Sequence, residues 1–326
     1  MDPRRRRSIA SLAALALATP GRAAAQSPDW PAKPIRLVVP FAPGAANDII
    51  GRLVAGRLAD ALRQPVTVEN RPGAGGSVGA GAVARAAPDG YTLGLMNPGP
   101  GVLTPLLTQG RLYKVEDLDP VALVCTAPLL LVASTRFAPN TAGELVELAR
   151  AQPKKVVFAS ADAGGIVGVA MLLFLAATGI EVNAVPYSGS APAMTDLSGG
   201  HVDATFASYA SALPHLKSGR AKVIGVAAPR RTASLPTVPT LAESGIRDAE
   251  TVAWWGISAP AGTPRPIVER LNREVNRALE LPEVRQRLEQ LDLEPASGSP
   301  EDFRAMVRAD AARAAKLIAA GLLRPE

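Results

Sequence analysis

The sequence predicts an α/β protein of two units, each with a central, mostly parallel sheet flanked by helices. Three observations carry the prediction. Strand-like and helix-like segments alternate along most of the 326 residues, the order expected of a parallel sheet with helices on its faces. The alternation restarts near residue 128. Setting aside a 25-residue leader leaves 301 residues, enough for two domains of roughly 100–200 residues each.

The leader is read from its order of residues. Arg4, Arg5, Arg6 and Arg7 form a positive region, SIASLAALALATP is an apolar core, and Ala23, Ala24 and Ala25 offer a small-residue cleavage site. That is the layout of a secretory signal peptide over residues 1–25, and its apolar part is well short of the ~20 residues of a spanning helix. The arginines leave both the Sec and the twin-arginine routes open. A periplasmic location is therefore expected. Cleavage after Ala25 removes five Arg and one Asp, so the formal charge falls from +6 to +2. No basic block remains and aromatics are only 4%, which argues against nucleic-acid binding. The single cysteine, Cys125, sits among apolar residues and reads as a core thiol that cannot staple its own chain.

The elements follow in order. KPIRLVVPF reads as a strand, and residues 48–63 place Ile49, Ile50, Leu53, Val54, Leu58, Ala61 and Leu62 on one helical face. PVTVEN is a strand, GSVGAGAVARAAPDG a small-residue helix ending in a turn, and YTLGLMN a strand. In the second unit APLLLVAST is a strand and TAGELVELARAQ a helix, with Thr141 as N-cap and Glu144 completing a capping box. KVVFAS is a strand, and GIVGVAMLLFLAATG a buried helix stopped by Gly179. VNAVPY, VDATFAS and AKVIGVAA are further strands, separated by short helices. WWGISAP is the last strand. Thr263 before Pro264, and Ser299 before Pro300, each mark a helix start, and these final helices are expected to pack back on the first unit.

Two strand-to-helix junctions attract chemical interest. VVPFAPGAAND leads into the first helix, and VVFASADAGGI leads into the buried helix of the second unit. In a parallel sheet the strand C-terminal ends share one edge, where ligands bind. Amides at a helix start have no internal partners and carry partial positive charge, and small side chains let a ligand oxygen reach them. Two such loops facing each other would hold a small anionic or polar head between them. Asp162 in the second loop would repel an anion but welcome an amine, or bridge through water.

Other chemistries find little support. Gly79, Gly81 and Ala84 fit G-x-G-x-x-A, but the preceding strand ends too far upstream and no acidic residue closes a strand about 20 positions on. That stretch reads instead as a loop beside the cleft. His201 and His215 are the only histidines and lack ligand-spaced partners, so structural, solvated roles are expected of them. Asp48 and Asp203 sit where Asp often caps a helix or turn. No metal and no cofactor is expected. A hydrolase would have to be assembled from Ser160 or Ser188 with Asp162 or Asp203, with no adjacent histidine or lysine to activate the serine.

The chain also resembles a known family. KPIRLVVPFAPG, VENRPGAGGSVG, PDGYTLG, VEDLDPVALV, VPYSGSAPAMTDLSGGHVD, PHLKSGR, RRTASLPTVPTLAESG and WWGISAPAGTP occur in the order of Bug-type periplasmic solute receptors, the substrate-binding components of tripartite tricarboxylate transporters. The resemblance implies a two-lobed, type II-like periplasmic binding protein that closes on its ligand, is not an enzyme, and acts as a monomer with membrane transporter subunits or a sensor kinase. It implies crossings near Pro128 and Glu250, so that lobe one is residues 26–127 plus 251–326 and lobe two is 128–250. It further implies that a carboxylate-bearing solute is held by Phe41, Ala42, Gly44, Ala45, Ala46, Asn47 and Asp48 of the first loop. Ser160, Asp162, Ala163, Gly164 and Gly165 would hold it from the second, with Tyr187, Ser188 and Asp203 at the far edge. The chain departs from the family pattern in three places. Ala45 replaces a glycine, Gly165 and Gly168 stand where a hydroxyl residue and a histidine are usual, and Ser188 replaces a lysine. These changes weaken the case for a citrate-like polyanion and leave a monocarboxylate, an aromatic acid, an amino acid, or a neutral or amine-bearing solute open.

Overall fold

A computed structural model describes residues 30–44, 46–161, 166–187, 190–291 and 293–323, so the expected leader and several loop residues lie outside it. The chain enters through β1 (Ile35–Val39), α1 (Ala46–Leu62), β2 (Val66–Asn70), α2 (Ser77–Ala84), β3 (Thr92–Met96) and the short α3 (Thr104–Leu107). Strands β1, β2 and β3 pair in parallel. Leu37, Val38 and Val39 are fully buried, as strands covered on both faces by helices require.

β4 (Leu118–Ser134) then runs for 17 residues. Only its second half was legible in the sequence, because Pro120 and Pro128 punctuate the run. In the structure neither proline breaks the strand. Pro120 borders a register shift against a neighbour, and Pro128 is the last residue to pair with that neighbour before β4 changes partners.

The second unit follows as α4 (Ala142–Ala151), β5 (Val157–Ala161), α5 (Ile166–Thr178), β6 (Asn183–Tyr187), α6 (Ser190–Gly199), β7 (Ala204–Ser208), α7 (Tyr209–Lys217) and β8 (Ala221–Val226). Thr141 caps α4 by accepting from the Glu144 amide at 3.1 Å, while the Glu144 carboxylate reaches the amide of Asn140, one residue earlier than a standard capping box. The chain returns along β9 (Val252–Pro260), then α8 (Arg265–Glu280), α9 (Pro282–Gln290), β10 (Glu294–Pro295) and α10 (Pro300–Ala319). Ser299 caps α10 with a reciprocal Asp302 bond. Thr263 departs from the expected cap: its buried hydroxyl donates to the Pro260 carbonyl at 2.8 Å, and Pro264 occupies the cap position of α8.

One continuous path, β2-β1-β3-β9-β4-β7-β5-β6, links both lobes. The outer strands on each side are parallel, whereas β4 and β9 add antiparallel pairs at the centre. β4 pairs with β9 up to Pro128 and with β7 and β8 from Leu129 onward. One apolar core joins β1, β3, α1, α8 and the first half of β4. A second joins α4, α5, β5, β7 and the second half of β4. Phe158, Phe174 and Phe206 form an aromatic trio at 5.8–6.4 Å in the second. Each such ring stabilises the fold by about 1.5–3 kcal/mol through burial. Trp254 meets Phe303 edge-on at 5.1 Å and fixes α10 to lobe one. A smaller cluster crosses between the lobes: Leu317 of α10 and Leu103 beside α3 pack with Val169 and Leu173 of α5.

Candidate functional site

Parallel pairing puts the C-terminal ends of β1, β2 and β3 on one edge, and the loops after them meet there. They wall a cavity of about 540 Å³. The β1 loop contributes Phe41, the β2 loop contributes Ala74 and Gly75 with Ser77 opening α2, and the β3 loop contributes Asn97, Pro98 and Gly99. Thr104, Leu107, Thr108 and Leu112 close one wall, Ala253 and Trp255 of β9 form the floor, and Ile166, the first residue of α5, reaches in from lobe two. Ile166 packs against the cores of both lobes, so the start of α5 sits across the gap from the β1 loop.

Two other cavities are larger. One of about 570 Å³ lies behind β4 and is lined by Pro128, Arg230 and Glu294, and one of about 790 Å³ lies between α5 and α10. Neither collects the ends of parallel strands, which is where an α/β sheet binds its ligand.

The first loop is held from within. Gly44 has a φ of 83°, in the left-handed region that glycine adopts without strain. Its amide donates to Asp48 Oδ2 at 2.9 Å, Arg52 Nε donates to the same carboxylate at 3.0 Å, and so does Asn70 Nδ2 at 3.0 Å. Asn70 also donates to the Phe41 carbonyl at 3.0 Å. Arg52, then the Gly44 amide, and then Asn70 hold the Asp48 carboxyl down to about 2, against burial, which pushes the other way. Asp48 is only 5% exposed, and its carboxylate shapes the loop.

Asn47 has a similar inward role. Its Oδ1 accepts from Trp255 Nε1 at 2.7 Å and from Asn97 Nδ2 at 3.1 Å. The indole N–H can only donate, which fixes the orientation of the Asn47 amide. Asn97 Oδ1 in turn accepts from the Gly99 amide at 3.0 Å. One side-chain chain thus ties the start of α1 to the β3 loop and to β9. Sequence reasoning did not single out Asn97, Trp255, Ser77 or Thr104. The signals present were an Asn-Pro pair directly after a strand, and the glycine-rich stretch before Ser77.

Of the other expected residues, Ala42 is exposed, Ala46 opens α1, and Ser160 is buried at the penultimate position of β5. Ala45, Asp162, Ala163, Gly164, Gly165 and Ser188 lie outside the described residues. Tyr187 ends β6, and its hydroxyl donates to Asp196 Oδ2 at 2.6 Å; that carboxylate, with burial, pushes the phenol up to about 12.

Asp203 does not join the cleft. Its Oδ2 accepts from the Val157 amide at 2.8 Å, and its own amide donates back to the Val157 carbonyl at 2.8 Å. Val157 begins β5, so Asp203 sits at the strand N-terminal edge, away from the loops. The reason is positional: the residue precedes β7 instead of following it. A Ser160–Asp203 pair is thereby ruled out, since β5 carries the two to different ends. His215 Nδ1 lies 2.5 Å from Ser198 Oγ and ties α7 to α6, a structural role.

Two α/β lobes sharing one long central strand, with a cleft at the strand ends, define a two-lobed solute-binding protein. Comparison with known proteins gives the family. Residues 50–322 match the profile "Tripartite tricarboxylate transporter family receptor". Protein BugT of Bordetella pertussis is 37% identical over 294 residues, covering 89% of this chain and 90% of that one. Among solved structures, R. palustris Rpa4515 with adipate superimposes with a TM-score of 0.75 at 33% identity, covering 91% of this chain and all of the other. MatC from Rhodopseudomonas palustris with bound malate gives 0.71 at 33% identity, covering 88% and 99%. The chain belongs to the Bug-type tripartite tricarboxylate transporter receptor family. It is a substrate-binding receptor, not an enzyme. Among the described residues no helix is long and apolar enough to cross a membrane.

Proposed function

We propose that this chain is a periplasmic receptor that captures a small carboxylate-bearing organic solute in the interlobe cleft and presents it to the membrane subunits of a tripartite tricarboxylate-type transporter. The observation that carries this reading is the convergence of strand-end loops and helix starts on one cavity, with the carboxylate of the first loop, Asp48, already satisfied from within. Helix-start amides then supply the positive field for a carboxylate head. Relatives bound to adipate and malate support the same solute class. On this reading the leader is removed near Ala25. Lobe one is residues 26–127 plus 251–326, lobe two is 128–250, and the two close about β4 and β9. The first loop from Phe41 to Asp48 and the second from Ser160 to Gly165 meet the ligand head, with Tyr187 and Ser188 at the edge. Solute contact with both loops favours the closed form only by its differential affinity for that form.

The test is a thermal-shift panel of mono- and dicarboxylates on the mature protein. At least one acid raises the melting temperature; at a concentration of 100 Kd the gain is about 2.7 kcal/mol. Stabilisation by an amine or a sugar, with none by any acid, would refute the carboxylate and keep the receptor. Solute recovered unchanged after long incubation is expected, and chemical turnover would sink the receptor reading.

A further inference from the structure

We infer that the solute is an amphipathic monoanion: one carboxylate on an apolar or aromatic body, with at most a neutral hydrogen-bonding group at its far end. This rests on the receptor reading above and narrows it. None of the described side chains lining the cavity is charged. The arginines nearest the β1 and β2 loops are already engaged, Arg52 with Asp48 and Arg71 with Glu69. The loop residues at 45, 162–165 and 188–189 include no Lys, Arg or His, and they include one Asp. One carboxylate can be met by helix-start amides. A second, carried deeper, would leave water for a wall of Phe41, Leu107, Leu112, Ile166 and Trp255 with no counter-charge, which is strongly unfavourable.

The wall is not wholly apolar. Ser77 opens α2, whose cap position carries no side-chain bond, and its residue surface is 4% exposed. Ser77 lines the cavity, and its hydroxyl has no hydrogen bond to another described residue. Thr104 lines the cavity as well, its Oγ1 about 4.0 Å from where a Cβ at Gly75 would stand. Two neutral hydroxyls suit a hydroxyl, carbonyl or ether on the solute better than a second full charge, which would need a desolvated cation beside it.

Calorimetric titration of matched pairs tests this: hexanoate against adipate, and 4-hydroxybenzoate against benzene-1,4-dicarboxylate. The better monoacid is expected to bind about 30-fold tighter, or more, than its diacid partner. A diacid that binds as tightly as its partner, or more so, overturns the monoanion and leaves the receptor intact. No binding by any acid overturns the carboxylate and the monoanion together. Two variants sharpen the outcome without threatening the fold. Leu112 is half exposed, so Leu112→Lys places a cation on the wall; adipate should gain about tenfold relative to hexanoate. An unchanged adipate affinity there counts against the missing counter-charge as the cause. Ser77→Ala should weaken 4-hydroxybenzoate about fivefold relative to benzoate, and an equal effect on both would refute the hydroxyl contact.

Discussion

Asp48 sets the first loop by spending its carboxylate on donors of the protein itself. A single acidic group satisfies the Gly44 amide, the Arg52 guanidinium and the Asn70 amide at 2.9–3.0 Å, so the turn at Gly44 is fixed before anything binds. Asp48→Asn removes the charge and offers the wrong end of an amide to one donor. It should cost about 1–3 kcal/mol of stability at neutral pH, read by thermal unfolding. The sign of the pH dependence follows from the carboxyl being held down to about 2 in the fold, below its ordinary value near 3.8. The stabilisation is complete above the unfolded value and fades as pH falls from about 4 toward 2, so the gap between wild type and variant should narrow over that window. A gap that stays constant down to pH 2 would refute the assignment. The sequence made Asp48 legible as a residue near the site but not as its inward brace, because its partner Asn70 is 22 positions away, on another strand. The resemblance puts Asp203 at the cleft, but it precedes its strand and so falls at the N-terminal edge.

Among the elements, α2 explains the glycines that imitate a dinucleotide fingerprint. A Cβ at Gly79 would lie 2.8 Å from Pro40 Cα and 2.9 Å from the Arg71 carbonyl, both backbone atoms, so the glycine lets α2 press onto the end of β1. That contact brings Ser77 to the cavity. Gly79→Ala should lower stability by about 1–3 kcal/mol through overpacking, or roughly 2–10 °C in melting temperature for a chain of this size. It should also weaken solute binding, because α2 carries one wall of the cleft. A variant as stable as wild type with unaltered affinity would refute the close-approach account. Most strands and helices could be read from periodicity alone. The exceptions are instructive: the first half of β4 hid behind its prolines, and α3 is four residues long, too short for a helical repeat to show.

At the scale of the molecule, one strand serves both lobes. β4 carries buried residues of both cores, and it changes hydrogen-bonding partners between Pro128 and Leu129 with no loop in between. The lobes are therefore joined by a shared, hydrogen-bonded element, and the apolar cluster of Leu103, Val169, Leu173 and Leu317 adds a second tie at the side. The restart of the strand–helix alternation near residue 128 was visible in the sequence. The tie through Leu317 was not, since it depends on how α10 lies across two lobes that are distant along the chain.

Cys125 lies at the middle of that shared strand, in register with Trp255 of the cavity floor, fully buried, with its thiol pushed up by burial. As the chain's sole cysteine, it makes the native molecule a blank background for thiol chemistry. A maleimide should leave the folded protein unmodified for hours at neutral pH and react fully in denaturant, with bound solute slowing the reaction further; prompt labelling of the native state would contradict this burial. Reporter dyes can then be attached through cysteines added on the two lips, and their separation would follow the jaws shutting on each candidate molecule.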